Sequence, residues 1–136
     1  MRYLGIDYGG KRVGVAISDQ SGKIAFPEGV IPNTKHLAET VKIICEEKSV
    51  GEIVLGESKN FSGEDNPVMK KIYEFKAALA KETNLPIRME PEFLTSAEAE
   101  RIQGKTDNLD ASAAALILKS YLDKRKLWKL SLTPNF

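Results

Sequence analysis

The sequence predicts an α/β domain: a mixed five-stranded sheet with helices on both faces. Three observations carry that expectation. Residues 2–31 read as three short apolar strands separated by Gly- and Asp-containing turns. Beyond them, segments with apolar residues every three or four positions alternate with short β-branched runs. Alternating strand and helix implies a partly parallel sheet covered on both sides, and the opening meander makes it mixed.

Arg2–Tyr8 reads as a buried strand, Gly9-Gly10-Lys11 as a turn, and Arg12–Ser18 as the second strand of that hairpin. Asp19-Gln20-Ser21-Gly22 is a second turn, with Asp19 expected as a turn residue. Lys23–Ile31 is a third strand, where Pro27 calls for an edge position or a bulge. Pro32-Asn33-Thr34 begins a helix with Leu37, Val41, Ile44 and Cys45 on its apolar face, and Gly51 is expected to end it. Ile53–Gly56 is a short strand, and 57–64 a polar loop containing Gly63. Asp65 or Asn66 caps a second helix with Pro67 in its first turn and Val68, Ile72, Phe75 and Leu79 as its buried stripe. Asn84-Leu85-Pro86 breaks it, and Ile87–Glu90 is the last strand. Thr95 or Ser96 starts a third helix that ends near Gly104, and Asn108 caps a fourth over about 109–124. Residues 1–123 are expected to form one domain, and 124–136 a C-terminal tail.

Composition excludes more than it selects. The 20 Lys and Arg nearly balance 19 Asp and Glu, so only a local basic patch could mark a nucleic-acid partner. A single cysteine, Cys45, rules out a disulfide within the chain and a thiolate cluster, and a single histidine, His36, argues against a His-rich metal site. Both are expected to be structural. A reducing, cytoplasmic setting fits. No apolar run approaches the ~20 residues that span a bilayer.

Three carboxylates are the candidate chemistry. Asp7 ends an otherwise apolar strand beside a glycine turn, where its removal from water is costly unless it is paired or binds metal. The plainer reading is a cap on the Gly9-Gly10 turn. Asp110 opens a helix rich in small residues, Asp110-Ala111-Ser112-Ala113-Ala114-Ala115. It either compensates the helix dipole or is brought to the strand ends by the close approach that the alanines allow. Glu92 follows the last predicted strand, beyond Pro91. It is either a solvated loop residue or points back over the sheet end. Sites in open α/β sheets gather beyond the strand carboxyl ends. Carboxylates without Cys or His suit a hard cation, magnesium or manganese.

Gly5-Ile6-Asp7-Tyr8-Gly9-Gly10-Lys11-Arg12-Val13-Gly14-Val15-Ala16-Ile17-Ser18-Asp19 closely resembles the opening signature of the YqgF family. The resemblance continues through Ile53-Val54-Leu55-Gly56, the loop with Gly63, Leu94-Thr95-Ser96-Ala97-Glu98-Ala99, and Leu109-Asp110-Ala111-Ser112-Ala113-Ala114 to Tyr121-Leu122. It therefore covers about residues 2–123. The resemblance implies a ribonuclease H-like fold and a nuclease acting on pre-16S ribosomal RNA or on Holliday junctions, with magnesium or manganese on Asp7, Glu92 and Asp110. Two departures stand out. The family's Asp-Glu-Arg before the Leu-Thr segment is Pro91, Glu92 and Phe93 here, so Glu90 becomes the candidate replacement for the lost acid. Its Gly-Leu-Pro after the fourth strand is Gly56-Glu57-Ser58.

Lys11, Arg12, Lys59 and Thr95 are the candidate substrate contacts, as phosphate donors or, for Thr95, through the amides of a helix start. Their alternatives are a charged hairpin tip, a solvated loop lysine and a simple cap. Tyr8 either stacks on a base or packs in the core. Lys124-Arg125-Lys126 either tracks a nucleic-acid backbone or is solvated. The expected partners are nucleic acid, either precursor RNA or branched DNA, and ribosome-assembly factors, without a membrane. Two other function classes compete. One is a non-catalytic RNA-binding assembly module. The other is nucleotide binding through the Asp-x-Gly-x-Lys turn, which needs a second domain that 136 residues do not hold.

Overall fold

A computed structural model describes residues 1–58, 67–92 and 107–132, with 92, 107–110 and 129–132 described through backbone alone. The strands are β1 (Arg2–Asp7), β2 (Arg12–Ser18), β3 (Ala25–Pro32), β4 (Val50–Ser58) and β5 (Ile87–Glu92). The helices are α1 (Leu37–Lys48), α2 (Met69–Thr83) and α3 (Asp107–Leu132). The sheet order is β3-β2-β1-β4-β5. β1, β2 and β3 pair antiparallel, while β1, β4 and β5 run parallel. The carboxyl ends of β1, β4 and β5 therefore share one edge of the sheet.

Strand alternation sorts the core into two layers. Leu4, Ile6, Val13, Val15, Ile53 and Leu55 pack under α1 and α2, joined by Leu37, Val41, Cys45, Ile72, Phe75 and Leu79. Tyr3, Ala16 and Val54 face the other way, onto Ala114, Ile117, Leu118 and Leu122 of α3. Pro27 sits in the edge strand, where the register shifts opposite Val15 and Ala16, so the edge and the bulge both accommodate it.

The boundaries moved where backbone geometry outranked composition. α1 ends at Lys48 because Ser49 adopts φ 55°, ψ 47° and its N–H returns to the Cys45 and Glu46 carbonyls. The expected stop, Gly51, lies inside β4 instead. β5 extends to Glu92, so Glu92 is a strand residue rather than a loop residue. Pro67 lies in the turn just before α2, not in its first turn. α3 continues through Leu132, so residues 124–132 are helical rather than a tail. The helix expected over 95–104, the loop around Gly63 and the caps at Asp65 or Asn66 lie outside the described residues. No helix among the described residues is long and apolar enough to cross a membrane.

Cys45 is 4% exposed on the apolar stripe of α1. Burial, with a smaller contribution from the Glu46 charge, pushes its thiol up to about 11. The folded state thus holds the thiol proton more tightly than the unfolded chain, so the stability this contributes is intact below the unfolded pKa. It is lost as pH climbs from that value, near 9, through 11. The expected result is a urea midpoint that falls over this window by more in the wild type than in Cys45→Ala, equivalent to roughly 1–3 kcal/mol. Equal slopes would remove the assignment.

Candidate active site

Asp7 is the last residue of β1 and is half-buried. By strand alternation it shares the face of Tyr3 and Gly5, the face that α3 covers. Gly5 sets how closely α3 docks. A Cβ there would lie 2.7 Å from the Leu118 Cβ and 3.0 Å from the Ala114 carbonyl oxygen, so the helix backbone rests on the strand where the side chain is missing. Tyr3, one pleat earlier, meets Tyr121 with ring centroids 6.1 Å apart and lies under the Arg125 guanidinium at 5.4 Å. Successive contacts run up β1 and down α3, so the two elements are antiparallel. Asp7 is two residues beyond Gly5, about 6.6 Å along the strand. Asp110 is four residues before Ala114, about 6 Å along the helix. The first turn of α3 and the end of β1 thus reach the same level at the same edge of the sheet.

Glu92 ends β5 and pairs with Ser58, the last residue of β4. Continuing the β1–β4 register puts Asp7 level with Gly56, and Gly56 pairs with Glu90. β5 is two strand spacings, about 10 Å, from β1. The residue between Asp7 and β5 at that level is a glycine, which places no side chain in the gap. β1 ends on Asp7, β5 ends on Glu92, and Asp110 lies in the first turn of α3.

Glu90 does not fill the place of the missing acid. It is 3% exposed, and its carboxylate accepts hydrogen bonds from the Ser120 hydroxyl at 2.8 Å and the Lys124 ammonium at 2.5 Å. A buried carboxylate held by two donors from α3 serves to clamp β5 under that helix. Glu52 makes a similar tie from β4, accepting from the Tyr121 hydroxyl at 3.0 Å with the Arg88 Nε at 3.6 Å. Burial raises the Tyr121 pKa, and its hydrogen bond to Glu52 raises it further.

Lys11 and Arg12 are exposed on the turn that follows Asp7. Gly9 is required there, because a Cβ would press on the Arg12 carbonyl oxygen. Asn33, which sequence reasoning treated only as part of a helix start, pins the turn. Its Nδ2 donates to the Gly9 carbonyl at 2.8 Å and its backbone N–H donates to the Lys11 carbonyl at 2.9 Å. The Pro-Asn-Thr triplet was the only signal, and it reads equally well as a cap. Asn33→Ala removes one of these bonds and should cost about 1 kcal/mol. The expected result is a melting temperature lower by a few degrees and a raised KM with kcat little changed. An unchanged KM would show that the turn does not position substrate.

The remaining candidates resolve as packing or lie beyond view. Tyr8 packs on Phe75 at 5.3 Å between ring centroids. Asp19 is a turn residue: the Ser21 hydroxyl and the Ile24 and Lys23 amides hold its carboxyl well below the usual range. His36 lies exposed at the start of α1, 3.4 Å from Glu39. Lys59, Thr95 and Ser96 lie outside the described residues. Among the described residues no group of three or more His, Cys, Asp or Glu is placed to hold a metal ion, and the side chains of Glu92 and Asp110 lie outside that description.

Comparison with known proteins bears on the family and the fold. The model of the family described as "RuvX: Holliday junction resolvase" matches residues 1–124. A protein of Thermoanaerobacter pseudethanolicus named "Putative pre-16S rRNA nuclease" is 36% identical, over 93% of this chain and 99% of its own. One of the same name from Maridesulfovibrio salexigens is 39% identical over 90% and 98%. Among solved structures, Thermus thermophilus RuvC in complex with a Holliday junction substrate superposes with a TM-score of 0.58 at 16% identity, covering 93% of this chain and 96% of that one. The fowlpox virus Holliday junction resolvase gives 0.55 at 17% identity, covering 91% and 99%. The fold is ribonuclease H-like.

Proposed function

The chain belongs to the RuvX (YqgF) family, and from that membership we propose that it is a divalent-metal-dependent nuclease that trims the 5′ end of precursor 16S ribosomal RNA. The observation that supports the reading is the close docking of α3 on Gly5 of β1, the strand that ends on Asp7.

These donors fit a hard cation. They are all carboxylates, while the one cysteine is buried under α1 and the one histidine lies at the start of that helix. Asp7, Glu92 and Asp110 would hold magnesium or manganese, one ion or two. When bound, such an ion supplies Lewis acidity for the phosphodiester and lowers the pKa of water. The rest falls to the chain itself. Asp7 is held by a buried strand, so its carboxylate is presented with little freedom to lose. Lys11 and Arg12, on the adjacent turn, donate to substrate phosphates and fix the strand over the carboxylates. Lys59 and Thr95 are assigned to the same task.

The description of the family favours a second reading, branched DNA as substrate, with the same carboxylates and the same phosphate contacts. Side-by-side assays separate the two. A labelled 16S precursor 5′ leader and a synthetic four-way junction are incubated with manganese or with chelator. Metal-dependent cleavage of the leader supports the RNA reading, and cleavage of the junction alone replaces it. Binding of RNA without cleavage of either substrate would leave an assembly module.

A further inference from the structure

Past Arg125 the last helix turns exposed, at Lys126, Leu127 and Trp128. α3 is tied down by buried Ala114, Ile117, Leu118 and Leu122, by the Tyr121 and Lys124 bonds to Glu52 and Glu90, and by Arg125 over Tyr3. Tyr3 is the second residue of β1, so Arg125 lies over the beginning of the strand. The helix nevertheless continues through Leu132, about 10 Å further. Leu118, Tyr121, Arg125 and Trp128 fall on one stripe at intervals of three and four residues. A tryptophan on a sheet-facing stripe is ordinarily core, yet Trp128 is 61% exposed and Leu127 is 67% exposed. Lys126 between Arg125 and Leu127 is exposed as well.

Charge is concentrated in the same place. Residues 119–136 hold five of the chain's 20 lysines and arginines but one of its 19 acids, so this segment carries +4 on a chain whose total is +1, and the remainder is left at −3. The one acid, Asp123, is neutralised locally by Lys119 at 2.7 Å. Lys119 and Lys124 face acids, but Lys126 and the Trp128 ring are exposed beside them, and exposed cations with an aromatic π-face match what a single-stranded nucleic acid requires. A second copy of the chain fits less well, because a twofold interface through this segment would set each +4 end against its equal.

We propose that the C-terminal end of α3 is a docking arm for single-stranded nucleic acid, with Trp128 as a stacking platform and Lys126 as a phosphate contact. The arm lies about 27 Å along the helix from Asp110. It therefore grips the strand away from the carboxylates and gives long substrates a hold that short ones lack. The substrate class rests on the nuclease reading above, but the arm is tested separately from it.

Trp128 is the only tryptophan in the chain, so its emission reports on the arm directly. Full-length protein is titrated in EDTA with single-stranded leader RNA, and anisotropy of the labelled RNA is followed alongside tryptophan emission. The expected results are quenching of Trp128 with the same midpoint as binding, and affinity reduced about ten-fold in Trp128→Ala and largely kept in Trp128→Phe. Lys126→Gln should lower the slope of log affinity against log salt by about 0.7. RNA binding with silent Trp128 emission and an unchanged salt slope overturns the arm while leaving the nuclease reading intact. A Trp128→Ala protein that keeps its RNA affinity but changes mass in sedimentation makes the surface an interface between copies. Failure of the wild type to bind any RNA removes the arm and the RNA nuclease reading together.

Discussion

Asp7→Asn should reduce metal-dependent cleavage by roughly 10²–10⁴-fold, because several kcal/mol of transition-state stabilisation depend on the ion and each 1.4 kcal/mol is a factor of ten. The substitution preserves shape and hydrogen-bonding capacity at the end of a strand whose other residues are buried, so the fold should survive. Stability supplies a readout independent of turnover. An ion that binds only the folded state at ten times its Kd raises stability by about 1.4 kcal/mol. That gain should appear in the melting temperature of the wild type on adding manganese and be absent from Asp7→Asn. Wild-type cleavage by Asp7→Asn, or an undiminished metal-induced shift, would remove Asp7 from the site.

Gly5→Val should be the most destabilising single change near the site. The first added carbon already lies 2.7 Å from the Leu118 Cβ and 3.0 Å from the Ala114 carbonyl oxygen, and a backbone oxygen has no rotamer by which to retreat. Two further methyls can be accommodated only by lifting α3 off β1. Overpacking of this kind costs typically 1–3 kcal/mol and more where backbone must move. For a chain of this size, about 3 kcal/mol corresponds to a fall in melting temperature of roughly 10–15 °C. Lifting α3 also carries its first turn away from Asp7, so the metal-induced gain in melting temperature should shrink together with cleavage. Gly5→Ala should fall between the two. A Gly5→Val protein that melts within about 2 °C of wild type would show that the helix does not rest on the strand as described.

Much of the architecture is legible in local pattern because the pattern has local causes. Strict apolar runs mark β1 and β2 as strands buried on both faces. Pro27 announces an edge, and the three-and-four spacing of Leu37, Val41 and Cys45 announces α1. The errors also share a cause: each concerns an end that a distant contact decides. Ser49 ends α1 in a left-handed conformation that composition does not favour. β5 reaches Glu92 because β4 is long enough to pair with it through Ser58. Residues 124–132 remain helical while Lys124 reaches Glu90 and Arg125 covers Tyr3, contacts 34 and over 100 residues away in sequence.

The site divides in the same way. In the sequence Asp7 stands out at the end of an apolar strand, while Glu92 and Asp110 gain weight only together with it and through the family resemblance. The sequence left open whether Glu90 replaces the neighbouring acid lost at Pro91. The packing of α3 answers that, by placing Ser120 and Lys124 on the Glu90 carboxylate. Residue type and spacing are properties of the chain, and they determined the sheet, its order of elements and the list of candidate acids. Which acid is clamped, and where α3 comes to rest, depend on a helix touching a strand more than 100 residues earlier at a single glycine, and that contact exists only once the chain has folded.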